Sequence, residues 1–256
     1  MNVVVCVKQI PDPAVPGELD SDHTLKREGK LILDESDSYG VEMALQLVDK
    51  AGGGEVTLIS MAPNAEVSGL RTALAMGAAK AILVSDDALA GADALTTSKV
   101  LAKCVERVGE VDLVLTATES TDGYTGTIPA QVAELLGWPS LTFAKEVHLE
   151  GGTAKIQRQT EAGYDVVEAS LPAVVSVTAG VVEPRYPSFK GIMAAKSKPV
   201  DQVTTGDLGL SADAIAPNQT ITSVTAAPAR EAGEKIEDDG TAFEKVVEFL
   251  DGLKVI

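Results

Sequence analysis

The feature that most constrains this chain is an alternation, four times over in its first 137 residues, of a short β-branched run with an amphipathic helical pattern. Val3–Val7, Val56–Ser60, Ala81–Ser85 and Val111–Thr116 are apolar on successive positions, as strands buried on both faces are. Between them the period changes to that of a helix. Tyr39, Met43, Leu47 and Ala51 predict a helix over 36–51 that stops at Gly52-Gly53-Gly54. Val67, Leu70 and Leu74 predict a second, capped by Asn64 and ended by Gly77, and Leu95, Leu101, Val105 and Val108 mark a third. A fourth ends near Gly137. Helical crossovers between buried strands imply an α/β fold, a parallel sheet covered by helices on both faces. The apolar composition agrees: 45 % of residues are hydrophobic but only 4 % aromatic, so the core is aliphatic.

The pattern changes after Pro139. Residues 144–170 alternate in and out, with Gly151-Gly152 and Ala162-Gly163 as turns, and predict an antiparallel β excursion. Ala173–Val177 restores a buried strand. Residues 179–200 read as an irregular stretch, and 201–240 as a polar Ala/Thr/Pro-rich segment with little core-forming capacity. A short helix over about 241–250 follows, with Phe243, Val246, Val247 and Leu250 on one face. The expected organisation is a nucleotide-binding α/β domain over 1–200 and an extended C-terminal arm over 201–256 that wraps another polypeptide.

Composition excludes several classes. With 21 Lys and Arg against 38 Asp and Glu, the net charge of −17 opposes nucleic-acid and anionic-membrane binding. Cys6, Cys104, His23 and His148 have no metal-ligand spacing, so no metal is expected, and the two cysteines read as buried apolar residues in a reducing compartment. No apolar run reaches the ~20 residues of a membrane span. The start, Met1 to Lys8, reads as a strand rather than a signal peptide, so a cytoplasmic location is expected. Neither a dinucleotide-binding G-x-G-x-x-G nor a P-loop occurs, and no nucleophile-centred catalytic set is visible, so no catalytic residues are assigned.

In open parallel sheets ligands collect beyond the carboxyl ends of the strands. Three loops qualify: the one after Cys6, Ser60-Met61-Ala62-Pro63-Asn64, and Ala117 to Pro129. The third carries Gly123, Gly126, four threonines and a serine just before a helix. Pro129 fits only in a first helical turn, so that helix starts near Gly126, and its free amides favour a phosphate. An ordinary capped helix with a polar approach is the alternative.

In order along the chain, Val5-Cys6-Val7-Lys8-Gln9-Ile10-Pro11-Asp12, Arg71-Thr72-Ala73-Leu74-Ala75-Met76-Gly77-Ala78, Val111-Asp112-Leu113-Val114, Gly137-Trp138-Pro139, Ile156 to Ser176, Glu183-Pro184-Arg185-Tyr186-Pro187 and Gly191-Ile192-Met193-Ala194-Ala195-Lys196 resemble the beta subunit of electron-transfer flavoprotein over essentially the whole chain. The resemblance implies an adenine nucleotide alpha hydrolase-like fold, and a heterodimer with an alpha subunit on which the arm packs. It also implies one FAD held mainly by alpha and a structural AMP in this chain. Such a carrier, itself not an enzyme, takes electrons from acyl-CoA and other dehydrogenases and delivers them to a membrane-linked quinone oxidoreductase, without inserting in the membrane. Carried over by position, the AMP contacts are Cys6, Asp34, Met61, Ala117, Thr118, Glu119, Ser120, Thr121, Asp122, Gly123, Tyr124, Thr125, Gly126, Thr127 and Ile128. The dehydrogenase-recognition loop is Arg185, Phe189, Lys190, Ile192, Met193 and Lys196, with Phe189 as apolar anchor. Gln159 stands where some members have an acidic contact to the flavin domain, with Glu161 nearby as a substitute, and Pro13 where some have a flavin-facing aromatic. Electron-bifurcating members hold a second FAD in place of AMP, but Tyr124 and Gly126 depart from their loop, which favours AMP. A nucleotide-binding stress or signalling module of related fold is the alternative from another class.

Overall fold

The computed structural model describes residues 1–256 except 63, 226, 227, 230 and 231. Pro63 of the second candidate loop and those four residues of the expected arm therefore lie outside the described residues. The chain divides into two compact units, Met1–Ile221 and Thr222–Ile256.

In the first unit the elements run β1 (Asn2–Cys6), β2 (Gln9–Ile10), β3 (Ile32–Leu33), α1 (Glu35–Lys50), β4 (Glu55–Ala62), α2 (Ser68–Met76), β5 (Lys80–Ser85), α3 (Ala94–Val108), β6 (Leu113–Ala117), α4 (Ile128–Leu136), β7 (Ser140–Glu150), β8 (Thr153–Thr160), β9 (Gly163–Ser170), β10 (Ala173–Val177), α5 (Phe189–Ala195), β11 (Val200–Val203) and α6 (Ala212–Ile215). A nine-stranded sheet has the order β11-β5-β4-β1-β6-β10-β7-β8-β9. Its pairs are parallel from β11 to β7 and antiparallel from β7 to β9. Because successive residues of a strand face opposite sides, β1 serves two cores. Val3, Val5 and Val7 pack with α1 and α2, whereas Val4 and Cys6 pack with α3 and α4. The alternation along the sequence thus becomes the α/β layering it predicts, with the antiparallel excursion at one edge.

The stretch 9–33 holds a small antiparallel sheet, β2 with β3, whose two-residue strands are too short to show a period. Three details differ from the expectations. Helix α2 is not capped by Asn64. Its first amides go to two side chains: Glu66 Oε1 takes Val67 and Ser68, and Gln9 Oε1, from β2, takes Gly69 and Leu70. Asn64 instead bridges to the carbonyl of Arg27. The irregular stretch 179–200 contains α5, whose cap is Ser188 Oγ accepting from the Gly191 amide.

Lastly, residues 201–221 belong to the first unit. β11 pairs with β5 through backbone groups, which needs little apolar pattern. Beyond it Thr205 donates to Asp86, the Asn218 amide donates to Asp93 and Lys99 donates to the carbonyl of Ala214. Val203 and Ile215 are also buried against the α3 side of the core, but they are isolated apolar positions in a polar segment, so composition alone hides the attachment.

The second unit contains α7 (Ala242–Gly252), whose Phe243, Val246, Val247 and Phe249 are exposed within it. No described helix is long and apolar enough to cross a membrane.

Candidate functional site

Strand order reverses at β1, which has β4 on one side and β6 on the other. Such a switch point splays the following loops apart and opens a crevice at the carboxyl ends. A cleft of about 750 Å³ lies there, within the size range of small-molecule sites. Residues 6–9 after β1, Met61 and Ala62 at the end of β4, and Thr116–Ser120 after β6 line it. Leu19, Leu25, Leu31, Leu89 and Leu101 add apolar wall.

The loop from β6 into α4 is held by buried polar side chains. Asp34, fully buried, caps α1 by accepting the Ser36 amide and hydroxyl. Its second oxygen accepts the amide of Thr121 at 2.7 Å and the Thr121 hydroxyl at 3.1 Å. Asp122 receives Lys8 Nζ at 2.6 Å and Arg27 Nη2 at 2.5 Å. Burial opposes ionisation of Asp122, but Lys8 and Arg27 outweigh it and hold the carboxyl below its usual range. Asp37 behaves in the opposite way. Burial pushes its carboxyl well above the usual range, against the pull of the Lys8 amide, which donates to it at 2.6 Å. Burial likewise raises the Cys6 thiol, so Cys6 is no thiolate nucleophile. Cys104 is also free and buried.

At the far side of the loop Gly126 has φ +68°, a left-handed conformation that glycine adopts without strain. Ile128 and Pro129 open α4, with Pro129 in the first turn where it sacrifices no helical hydrogen bond. Among the described residues no protein acceptor takes the amides of Gly126, Thr127 or Ile128. A Cβ on Gly123 would sit 3.1 Å from Ser120 Oγ, 3.6 Å from Lys8 Nζ and 3.8 Å from Thr125 Oγ1. With no side chain at Gly123, the donors of Ser120, Lys8 and Thr125 gather against the backbone of the loop that carries the free helix amides. That chemistry fits a phosphate, and the adjoining apolar wall fits a base.

Of the expected nucleotide contacts, Cys6, Met61, Ala117, Thr118, Glu119, Ser120, Asp122, Gly123, Thr125, Gly126 and Ile128 line the cleft. Asp34, Thr121, Tyr124 and Thr127 lie outside that lining. Asp34 and Thr121 spend their polar atoms on each other, which makes them supports of the loop. Tyr124 is exposed, and the Thr127 hydroxyl accepts from Gln131. Lys8, Arg27 and Asp37 line the cleft without having been assigned to it. Lys8 follows the first strand, in a loop the sequence had already marked as a ligand position, and that was its usable signal; no local pattern marked Arg27 or Asp37.

The expected recognition residues form a second region. Phe189 is 81 % exposed and Tyr186, not assigned from sequence, 92 %. Ile192 and Met193 are half exposed, and Lys190 and Lys196 are exposed beside them. Arg185 is tied back to the fold while its side chain stays partly exposed. Its Nε donates to the buried Glu42 at 2.6 Å and its Nη2 at 3.1 Å, so it anchors the segment to α1. Beyond α5, Arg71 Nη1 donates to the carbonyls of Ala195 and Lys198, and Lys198 Nζ to those of Leu74 and Ala78, each at 2.7 to 2.9 Å. Gln159 and Glu161 sit at the tip of the β8–β9 hairpin.

A family model described as the electron transfer flavoprotein domain matches residues 22–208. A Mycobacterium bovis protein named electron transfer flavoprotein subunit beta is 40 % identical, covering 100 % of this chain and 99 % of its own length. A Megasphaera elsdenii protein of the same name is 33 % identical over the full length of both. An Acetobacterium woodii protein named caffeyl-CoA reductase-Etf complex subunit CarD is 37 % identical over 96 % of this chain and 95 % of its own.

Proposed function

This chain belongs to the electron transfer flavoprotein family, and from that premise we propose that it is the nucleotide-holding beta half of a two-subunit electron carrier. The cleft at the end of β1, β4 and β6 holds AMP, its phosphate at the start of α4 and its base against the apolar wall. FAD, held mainly by the companion alpha subunit, supplies the redox chemistry when bound. The present chain's residues bind, orient and stabilise. They perform no bond-making step of their own, so the chain is a carrier subunit rather than an enzyme.

The exposed Phe189, with Tyr186, Ile192 and Met193 around it, receives donor dehydrogenases, acyl-CoA dehydrogenases among them. Lys190 and Lys196 steer acidic partners toward it. Electrons leave to a membrane-linked quinone oxidoreductase, and the carrier works in the cytoplasm. The residues after Thr222 pack on the alpha subunit, which would cover the apolar face of α7.

The observation that carries the nucleotide reading is the set of donors gathered at Gly123, in the same loop as the free amides from Gly126 to Ile128. Mass spectrometry of the supernatant after denaturing the purified chain tests it, with about one AMP per chain expected. A second reading places FAD in this cleft. The size of the cleft, and the kinship to a subunit of a caffeyl-CoA reductase complex, speak for it. One FAD per isolated chain would establish that reading, and recovery of no nucleotide at all would sink both.

A further inference from the structure

We infer that Lys8 and Arg27 are the cations that bind the nucleotide's phosphate, and that Asp122 is the positioning residue that aims them. The inference rests on the nucleotide reading above and adds to it a specificity for a charged over an uncharged ligand. Both side chains line the cleft and both are partly open to it, at 37 % and 24 % exposure, while the Asp122 carboxylate between them is 8 % exposed. Asp122 is held ionised by these two neighbours, against the effect of burial. Two fixed cations on one fixed anion leave one positive charge unbalanced.

Donor capacity is also left over. Lys8 Nζ has three hydrogens, of which Ser120 Oγ and Asp122 take two. Arg27 has five, and its long contact to the Gln9 carbonyl and its bond to Asp122 leave the rest. The ammonium stands 3.6 Å from the point where a Gly123 side chain would begin, in the lining that also carries Gly126 and Ile128 at the start of α4. A phosphate there meets helix amides on one side and the ammonium on the other.

The remaining lining makes this position distinctive. Asp20, Glu28, Asp93 and Glu119 are carboxylates, so the rest of the cleft repels an anion. Glu119 is the direct competitor, with Oε2 3.4 Å from the Cβ position of Gly126, but its side chain is exposed and free to swing outward. The carboxylates thereby confine a negative group to the one place where Lys8 and Arg27 face it.

Calorimetric titration of the full chain, freed of bound nucleotide, with AMP and separately with adenosine tests the assignment. In the Lys8→Met variant AMP is expected to bind at least tenfold more weakly while adenosine binds within twofold of wild type. Lys8→Arg recovers most of the loss, and Arg27→Met repeats the pattern more weakly. Unchanged adenosine binding also shows that the variants are folded. An equal loss for both ligands would mean that the cations only hold the loop, and an unchanged AMP affinity would mean that they do not meet the phosphate. Either result overturns the inference while leaving the nucleotide reading intact. Wild-type chain that binds neither ligand overturns both.

Discussion

The loop entering α4 and the segment leading into α5 are alike in sequence, since both are irregular and both mix glycine, proline and hydroxyl residues. The fold treats them in opposite ways. The first is held from within, by Asp34, Lys8 and Arg27 reaching its own residues, and turns its polar groups toward a cleft. The second is held at its ends, by Arg185 on Glu42 and by Arg71 and Lys198 on backbone carbonyls, and turns its apolar side chains outward. A polar site needs every buried group satisfied, because an unpaired one costs about 1–3 kcal/mol. An apolar docking surface needs only a rigid frame, because its side chains find their partners in another molecule. The contrast teaches that anchoring and contact are separate tasks, and that Arg185 performs the first.

The comparison can be broken at several points. Asp34→Ala has the largest expected effect. It strands the Thr121 amide and the α1 cap, and urea unfolding should show a loss of about 3 kcal/mol. Nucleotide retention should fall with it, whereas donor docking per folded molecule should not. If stability were unchanged, the loop would not depend on its buried support.

Gly191→Ala attacks the other region. A Cβ there would lie 2.5 Å from the Ala75 carbonyl oxygen, so α5 must lift from α2. A cost of about 2 kcal/mol is expected, with AMP content unchanged. Loss of AMP in this variant would show the two regions to be coupled.

Phe189→Ala should leave the melting temperature where it is, since the ring touches mainly solvent. Steady-state reduction by a donor dehydrogenase should reveal a weakening of about 1–2 kcal/mol in binding. A large fall in melting temperature would place the ring in the core instead.

The smallest effect separates two carboxylates within the cleft. Asp37 has a raised value in the fold, so its share of stability is full below the unfolded carboxylate range and is lost as pH rises through the raised value. Asp122 has a lowered value, so its share is present above that range and is lost as pH falls through the lowered one. Asp37→Asn should therefore flatten the decline of urea stability on the neutral side and leave the acid limb in place. Loss of the acid limb in that variant would contradict the division.

Much of the fold was legible because burial on both faces leaves a local mark. Val3–Val7 and Val111–Thr116 are apolar at every or nearly every position, and the helices between them repeat at their own period. The start of α4 was legible too, since Pro129 fits only a first helical turn and Gly126 is free to take the left-handed turn before it. The cap of α2 was not. Gln9 serves it from 60 residues away, and no pattern around Asn64 records that. The attachment of 201–221 was hidden too, because its polar fastenings are single side chains and its apolar ones, Val203, Leu208, Leu210 and Ile215, are too spread to show a period.

Local order, then, was written in the chain: which segments are the long buried strands, that helices lie between them, and that a glycine- and threonine-rich turn opens one of those helices. Tertiary structure alone decided which charges meet. Lys8 and Asp122 stand 114 residues apart, and Asp34 and Thr121 stand 87 apart. Periodicity reports on which face of an element is buried, and it carries no information about which distant side chain shares that face. Only the closing of the parallel sheet, with β1 between β4 and β6, brings those residues within hydrogen-bonding reach.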